Sequence, residues 1–326
     1  MITNSNILMT GGSGFIGSHF HNLIPPDQII NLDLVAPESP NGSQHIRGDI
    51  RVAAEVEQAL ASRPCDLIIS LAAEHKDFGI TEQDYFRTNE YGTQVICEAA
   101  TRHGIQRIVF YSSVAVYGNN STPSHEEMSP QPANPYGASK LAGERVLEKW
   151  AAEDPNRRVL IIRPTVVYGE RNVANMYRLI DQINKGRYFH IGEGGNIKSI
   201  AYVKNLVEGT MFLLRQLEPG VHVYNYSDEP QLSSRKIAET IQEALGKKSM
   251  ITLPYWLVYT MGIPFDIAIK ITGKDLPIST NRVKKFCTET YHQSSKIRAA
   301  GFQPSYNNLE GLTRMVKWMQ EDAVVV

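Results

Sequence analysis

Three residues of the first half of the chain could together move a proton and steady a developing charge. Tyr136 and Lys140 lie four apart in Pro135-Tyr136-Gly137-Ala138-Ser139-Lys140, a spacing that puts both on one face of a helix. A nearby ammonium favours the phenolate, drawing a tyrosine from its reference pKa of about 10 toward neutrality at about 1.4 kcal/mol per unit. Ser113 stands 23 residues before Tyr136, just beyond the apolar run Ile108-Val109-Phe110. Its hydroxyl can hold a reacting oxygen while Tyr136 moves the proton. Singly, each residue has a simpler reading: a helix-start aromatic, a solvated charge, a strand-end turn former. Their joint order gives them weight.

Chemistry of this kind needs a partner that carries hydride, and the N-terminus offers a place for one. Thr10-Gly11-Gly12-Ser13-Gly14-Phe15-Ile16-Gly17 follows an apolar strand and opens directly into a helical pattern. Gly11, Gly14 and Gly17 suit a tight turn, close approach of backbone N–H groups to a diphosphate, and packing of helix on sheet. A second apolar run ends at Asp33, 22 residues past Gly11, where a carboxylate accepts hydrogen bonds from the adenosine ribose hydroxyls. That carboxylate would repel a 2′-phosphate, and no Arg follows until Arg47. The expected cofactor is therefore NAD rather than NADP, with the nicotinamide taking or giving the hydride.

The elements that must position these residues read as an α/β protein. Candidate strands are Asn6 to Thr10, Gln28 to Leu32, Gln44 to Arg47, Asp66 to Leu71, Arg107 to Tyr111 and Arg158 to Ile162. Between them lie helical patterns at Gly14 to Ile24, Val52 to Ser62, Gln83 to His103 and Tyr136 to Glu153. Near-continuous apolar strands alternating with helices predict a doubly wound, Rossmann-type parallel sheet with helices on both faces. After Tyr168-Gly169 the alternation lapses, although a helix at Val203 to Leu217 and a strand near Val221 to Asn225 are still expected. The predicted division is a cofactor-binding domain over 1–168, joined by about 200–227, and a smaller, interleaved C-terminal substrate lobe over 169–199 and 228–326.

Composition narrows the classes. With 326 residues, 42% hydrophobic, and 33 Lys plus Arg against 34 Asp plus Glu, the chain can bury a full core. It is neither disordered nor a basic nucleic-acid binder. Cys65, Cys97 and Cys287 form no metal or disulfide pattern, so no metal is expected and a cytoplasmic setting fits. The N-terminus shows no basic start followed by an apolar run, so export is not expected. Residues 250–272 are apolar-rich but contain Pro254, Pro264, Asp266 and Lys270. They are expected to form a Pro-broken pair of helices rather than a membrane span.

On these motifs, over most of its length, the chain resembles the extended short-chain dehydrogenase/reductase family, in particular its nucleotide-sugar epimerase and dehydratase branch. The resemblance implies that Asp49 and Ile50 contact adenine, that Leu71-Ala72-Ala73 passes under the diphosphate, and that Asn89 of Asn-x-x-Gly-Thr lies near the cofactor. Phe15 and Ile16 of the glycine loop and Thr165 after Arg163-Pro164 complete the implied cofactor set, with Tyr136 and Lys140. Ser113, Tyr136, Asn175 and Lys198 are implied substrate contacts, Lys198 standing where the family usually has Arg. A nucleotide-sugar substrate and a homodimer are likewise implied.

Departures from the family pattern choose among its reactions. Dehydratases carry an acidic pair after the catalytic Ser/Thr, whereas this chain has Val114-Ala115, and neither can move a proton. Galactose-type epimerases usually show Phe-Asn where this chain has Thr165-Val166. The reading favours an NAD-dependent nucleotide-sugar epimerase acting at C4 through a 4-keto intermediate. The alternatives are a nucleotide-4-ketosugar reductase or hydroxysteroid-like dehydrogenase, and, third, a non-catalytic dinucleotide sensor.

Overall fold

The computed structural model describes residues 6–38, 41–76, 79–120, 122–247, 251–272 and 279–322. In chain order the first elements are β1 (Ile7–Thr10), α1 (Phe15–Phe20), β2 (Ile29–Asp33), β3 (Gln44–Arg47), α2 (Ala53–Ala61) and β4 (Leu67–Ser70). Then follow α3 (Glu82–Phe86), a π turn at Arg87–Tyr91, α4 (Gly92–Arg102), β5 (Arg107–Tyr111), α5 (Pro135–Ala152) and β6 (Arg158–Pro164). The later elements are β7 (Val166–Tyr168), α6 (Asn175–Asn184), β8 (His190–Ile191), β9 (Ile197–Lys198), β10 (Ile200–Tyr202), α7 (Val203–Arg215) and β11 (Gly220–Tyr226). The last are β12 (Leu232–Ser233), α8 (Ser234–Ala244), β13 (Thr252–Leu253), α9 (Tyr255–Thr272), α10 (Thr280–Cys287), α11 (Ser295–Ala299) and α12 (Asn308–Asp322).

Seven strands form one sheet in the order β11-β6-β5-β4-β1-β2-β3, every neighbouring pair parallel. The expected doubly wound α/β class is what the chain adopts. Strands β1 and β4 are buried along their whole length, as strands covered on both faces must be. The strand order reverses between β1 and β4, and the crevice beyond the carboxyl ends of strands at such a switch point is where sheets of this kind bind ligands.

The chain divides into two compact units. The first comprises Met1–Thr165, Val203–Ser227 and His292–Ser305. It contains the seven-stranded sheet, and its core joins Leu8, Ile30, Ile68, Ile108, Phe110 and Ile161 of the sheet to Val56, Val95, Leu147 and Trp150 of α2, α4 and α5. The second comprises Val166–Tyr202, Asp228–Tyr291 and Tyr306–Val326, with a core of Tyr168, Ile180, Tyr202, Ile237, Ile241, Leu312 and Val316.

Two local expectations are corrected. The pattern over Gln83 to His103 is two helices joined by the π turn rather than one regular helix. Residues 255–272 form one helix with Pro264 inside it, not a Pro-broken pair. Proline removes one backbone donor and crowds the preceding turn, and here the helix continues through it. No helix among the described residues is long and apolar enough to cross a membrane.

Candidate active site

The glycine loop leaves β1 at the switch point. Gly11 has φ +72°, and a Cβ there would lie 2.6 Å from the backbone N of Ala72, so conformation and space both demand glycine. Leu71 and Ala72 donate their N–H groups to the Thr10 carbonyl at 3.0 Å, which holds the segment after β4 beneath the loop. Ala73 follows them. Gly14 is the N-cap of α1 and makes no side-chain cap bond there; it is exposed, Phe15 and Ile16 are half-buried and Gly17 is buried. Asp33 ends β2, its Oδ2 accepting from the Ser13 N–H at 3.0 Å and its Oδ1 from the Val35 N–H at 3.1 Å. Each carboxylate oxygen keeps a further lone pair for a ligand hydroxyl. Asn31, fully buried on the same strand, donates to Ser13 Oγ at 2.9 Å, while its Oδ1 is buried without a partner among the described residues. The cradle at Gly11 and the held carboxylate of Asp33 fit a dinucleotide.

Farther along the sheet, Asp49 is bound by Arg51 through Nε and Nη2 at 2.9 and 2.6 Å. Burial pushes its pKa up, but the Arg51 hydrogen bonds and charge outweigh this and hold the carboxyl below its ordinary range. Ile50 is buried. Asn89, also buried, lies in the π turn, a feature common at functional sites. Its Oδ1 accepts from the Glu74 N–H at 2.9 Å, and its Nδ2 donates to the Glu74 carbonyl and to Ser139 Oγ. Both amide hydrogens are thus used, and Asn89 ties the segment after β4 to the turn of α5 between Tyr136 and Lys140. Thr165, just past β6, donates both N–H and Oγ1–H to the Tyr226 carbonyl.

Ser113 follows β5 and caps a 3-10 turn over Val114–Tyr117, its Oγ accepting from the Ala115 N–H at 3.1 Å. Asn134 caps α5 by accepting from the Gly137 N–H at 2.8 Å, with Pro135 at its first position. A Cβ on Gly137 would lie 2.3 Å from the Ala115 carbonyl oxygen, so glycine alone lets the start of α5 seat on the Ser113 turn. Tyr136 is half-buried, its ring 6.1 Å from that of Tyr85. Lys140 is buried with its Nζ 4.6 Å from the centre of the Phe110 ring. Burial pulls its pKa down to about 7, against a smaller upward pull from Glu144.

Behind this face runs a buried polar network that the sequence reading missed. Arg163 pairs with Glu144 through Nε at 2.9 Å and Nη2 at 2.5 Å. Ser112 Oγ donates to the same carboxylate, and Arg163 Nη1 reaches Tyr117 Oη at 2.7 Å, which donates to Asn225 at 2.8 Å. Glu144 is four residues past Lys140, the same spacing that singled out Tyr136. A carboxylate one helical turn past Lys140, on the same face, was the available signal.

In the second unit, Asn175 begins α6 and is exposed. Lys198 donates Nζ to the Lys285 and Thr288 carbonyls at 2.9 and 2.5 Å, capping the end of α10 and leaving one ammonium hydrogen for another acceptor. No cluster of metal-ligating side chains occurs among the described residues.

Residues 7–227 match the model of the NAD dependent epimerase/dehydratase family. The chain belongs to this family. The N-acetyl-alpha-D-glucosaminyl-diphospho-ditrans,octacis-undecaprenol 4-epimerase of Escherichia coli O157:H7 is 39% identical, the alignment covering 97% of this chain and 95% of that one. The human dTDP-D-glucose 4,6-dehydratase is 27% identical over 97% of this chain and 90% of its own. Among solved structures, the Thermotoga maritima UDP-glucose 4-epimerase with UDP-glucose superposes with TM-score 0.78 at 22% identity, over 98% of this chain and 99% of that one. The Thermus thermophilus UDP-glucose 4-epimerase complex with NAD gives 0.76 at 23%, over 97% and 99%. This chain is thus an enzyme of the extended short-chain dehydrogenase/reductase type, whose family cofactor is NAD. Val114 packs with Val116, Tyr117 and Leu141 in a small apolar cluster, and neither Val114 nor Ala115 carries an acidic group.

Proposed function

We propose that the chain is an NAD-dependent 4-epimerase of hexoses carried on a diphosphate. The observation that supports this reading is the seating of α5 on the Ser113 turn through Gly137, which holds the start of the Tyr136–Lys140 helix against the turn that Ser113 caps. NAD, held by the glycine loop and Asp33, would supply the acceptor and donor of hydride for the sugar's C4. Tyr136 takes the proton from the C4 hydroxyl and returns it after the 4-keto sugar has presented its other face. Ser113 donates a hydrogen bond to the same oxygen. Lys140, at the next turn of the helix, favours the phenolate form of Tyr136 when it carries its proton, while burial itself opposes that charge. Val114 and Ala115 supply no group for elimination of water, which leaves hydride and proton transfer as the chemistry.

Nucleotide-linked hexoses are the first substrate class, with Asn175 and Lys198 as proposed contacts and Gly11, Gly14, Phe15, Ile16, Gly17, Asp33, Asp49, Ile50, Leu71, Ala72, Ala73, Asn89 and Thr165 as the proposed cofactor wall. Polyprenyl-diphosphate-linked N-acetylhexosamine is the second, favoured by the 39% identity to an enzyme named for that substrate. The two units correspond in this reading to cofactor and substrate domains, and the protein works as a homodimer in a reducing, cytoplasmic setting. The test incubates the purified enzyme with UDP-hexoses, UDP-N-acetylhexosamines and a polyprenyl-diphospho-N-acetylglucosamine. Sugar configuration and the absorbance of reduced nicotinamide are followed together. Interconversion at C4 with no net reduced cofactor is the expected result. Stoichiometric cofactor oxidation on a 4-ketosugar, without interconversion, would establish the reductase instead.

A further inference from the structure

Ser113 stands between two members of one buried hydrogen-bonded ring. Ser112, immediately before it, donates its N–H to the Ile162 carbonyl at 2.7 Å and its hydroxyl to the Glu144 carboxylate. Tyr117, four places after it, accepts at Oη from Arg163 Nη1 at 2.7 Å and donates to Asn225 Oδ1 at 2.8 Å. Arg163 joins the two sides, because its Nε and Nη2 hold Glu144 while its Nη1 holds Tyr117. All four side chains belong to the first unit. Ser112, Tyr117, Glu144 and Arg163 are 3%, 1%, 1% and 4% exposed, so water does not compete for these bonds.

An ion pair so enclosed is a poor device for stability alone, since removing two charges from water cancels much of their attraction and well-packed apolar residues often serve as well. What a fully satisfied ring supplies is fixed geometry. The piece it fixes is short. Between its two ends the chain makes a single 3-10 turn over Val114–Tyr117. Ser113 Oγ accepts from the Ala115 N–H at 3.1 Å and the Ser113 carbonyl from the Val116 N–H at 3.2 Å, so the hydroxyl travels with the turn. Accepting that bond uses a lone pair and leaves the hydroxyl hydrogen to be donated. The turn leaves through Gly118, where φ is +71° and a Cβ would lie 2.0 Å from the Gln131 carbonyl oxygen, so only glycine fits. Burial pushes the Tyr117 pKa up against the pull of Arg163, which keeps its hydroxyl protonated as a hydrogen-bonding post.

We propose that Ser112, Tyr117 and Arg163 are positioning residues for the reaction: the ring holds the Ser113 turn at both ends, so that the Ser113 hydroxyl meets the oxygen on the reacting carbon. The proposal rests on the role given to Ser113 above, and not on which sugar is bound or on whether the ketone is released. A displacement of about 1 Å at a reacting group costs on the order of 10²-fold in rate, which sets the size of the effect when both ends are freed.

Ser112→Ala/Tyr117→Phe frees both ends while keeping the Arg163–Glu144 pair and the Tyr117 ring, and Ser113→Ala removes the hydroxyl they place. The two variants and their combination are made in the full chain. Turnover is followed on whichever sugar proves active, and NAD is titrated separately. In Ser112→Ala/Tyr117→Phe, kcat should fall roughly 10- to 100-fold with NAD affinity kept. Added to Ser113→Ala, the same changes should cost little more, because residues that act through one hydroxyl are not additive. Hydrogen exchange reads the turn without any substrate: residues 112–118 should exchange roughly tenfold faster in Ser112→Ala/Tyr117→Phe, with β1 and β4 unchanged. Equal losses of kcat with and without the Ser113 hydroxyl would overturn the proposal, as would an unchanged kcat or an unchanged exchange rate. Should Ser112→Ala/Tyr117→Phe not fold, Tyr117→Phe alone goes through the same comparisons. Faster exchange in the turn alongside failure of every sugar assay would support the hold of the ring on the turn and count against the 4-epimerase reading only.

Discussion

Lys140 is the side chain on which burial acts hardest to functional effect. Its pKa of about 7, against an ordinary value of 10.5, means that between these limits the unfolded chain holds a proton the folded chain has lost. Stability therefore rises with pH across that window as far as this group is concerned. Lys140→Met should remove that slope. The comparison is made by urea denaturation of both proteins between pH 7 and 8.5, where protons released by buried cysteines on unfolding are common to both and cancel in the difference of slopes. A wild-type slope no steeper than the variant's would place the ammonium in a wetter setting. Tyr136→Phe keeps the ring and deletes only the hydroxyl, so turnover should fall by roughly 10²–10⁴-fold with NAD affinity unchanged by titration. Glu144→Gln leaves Arg163 buried without its counter-charge, which should cost about 3–5 kcal/mol in denaturant unfolding. It should also move the Lys140 limb of the pH–rate profile to lower pH, because the upward pull of Glu144 is lost. An unmoved limb would make Glu144 purely structural. Spacing revealed Tyr136 and Lys140 because four residues on a helix are one turn. It could not reveal the Glu144–Arg163 pair, whose partners meet only when α5 packs on β6.

Elements set these side chains by close approach of backbone, and glycine is where that approach can be tested. Gly137→Ala puts a methyl group 2.3 Å from the Ala115 carbonyl, forcing α5 off the Ser113 turn. Turnover should drop well beyond any change in NAD affinity, and a variant with full activity would show that the two elements need not touch. The β2 end has its own test. Asp33→Arg exchanges a repelling charge for an attracting one at the ribose 2′ position, so titration should show weaker NAD and tighter NADP binding. Wild type that prefers NADPH would contradict the assignment. The elements of the sheet were legible because buried parallel strands are short apolar runs and their helices repeat at 3.6 residues. The π turn at Arg87–Tyr91 was not, since one extra residue in a helical turn barely disturbs that periodicity, yet it is what buries Asn89 beside Ser139. Nor was the unbroken course of α9, because proline inside a helical run predicts a break or kink and here the helix runs through Pro264.

For the whole molecule, family, fold and cofactor rest on features that lie in sequence order on one sheet. The sugar and its carrier do not, because the second unit is assembled from separated stretches and its short strands leave weak periodicity. In the proposed reaction hydride leaves C4 and returns to the same carbon of the same sugar. Deuterium at C4 tests it most directly. Substrate carrying deuterium at C4 and a carbon-13 label elsewhere in the ring is mixed with unlabelled substrate and brought to equilibrium with catalytic enzyme and no added cofactor. The expected result is inverted product in which deuterium remains at C4 and remains with carbon-13, with none passed to solvent or to the unlabelled pool. Deuterium washed into water, or spread to sugars without carbon-13, would contradict it.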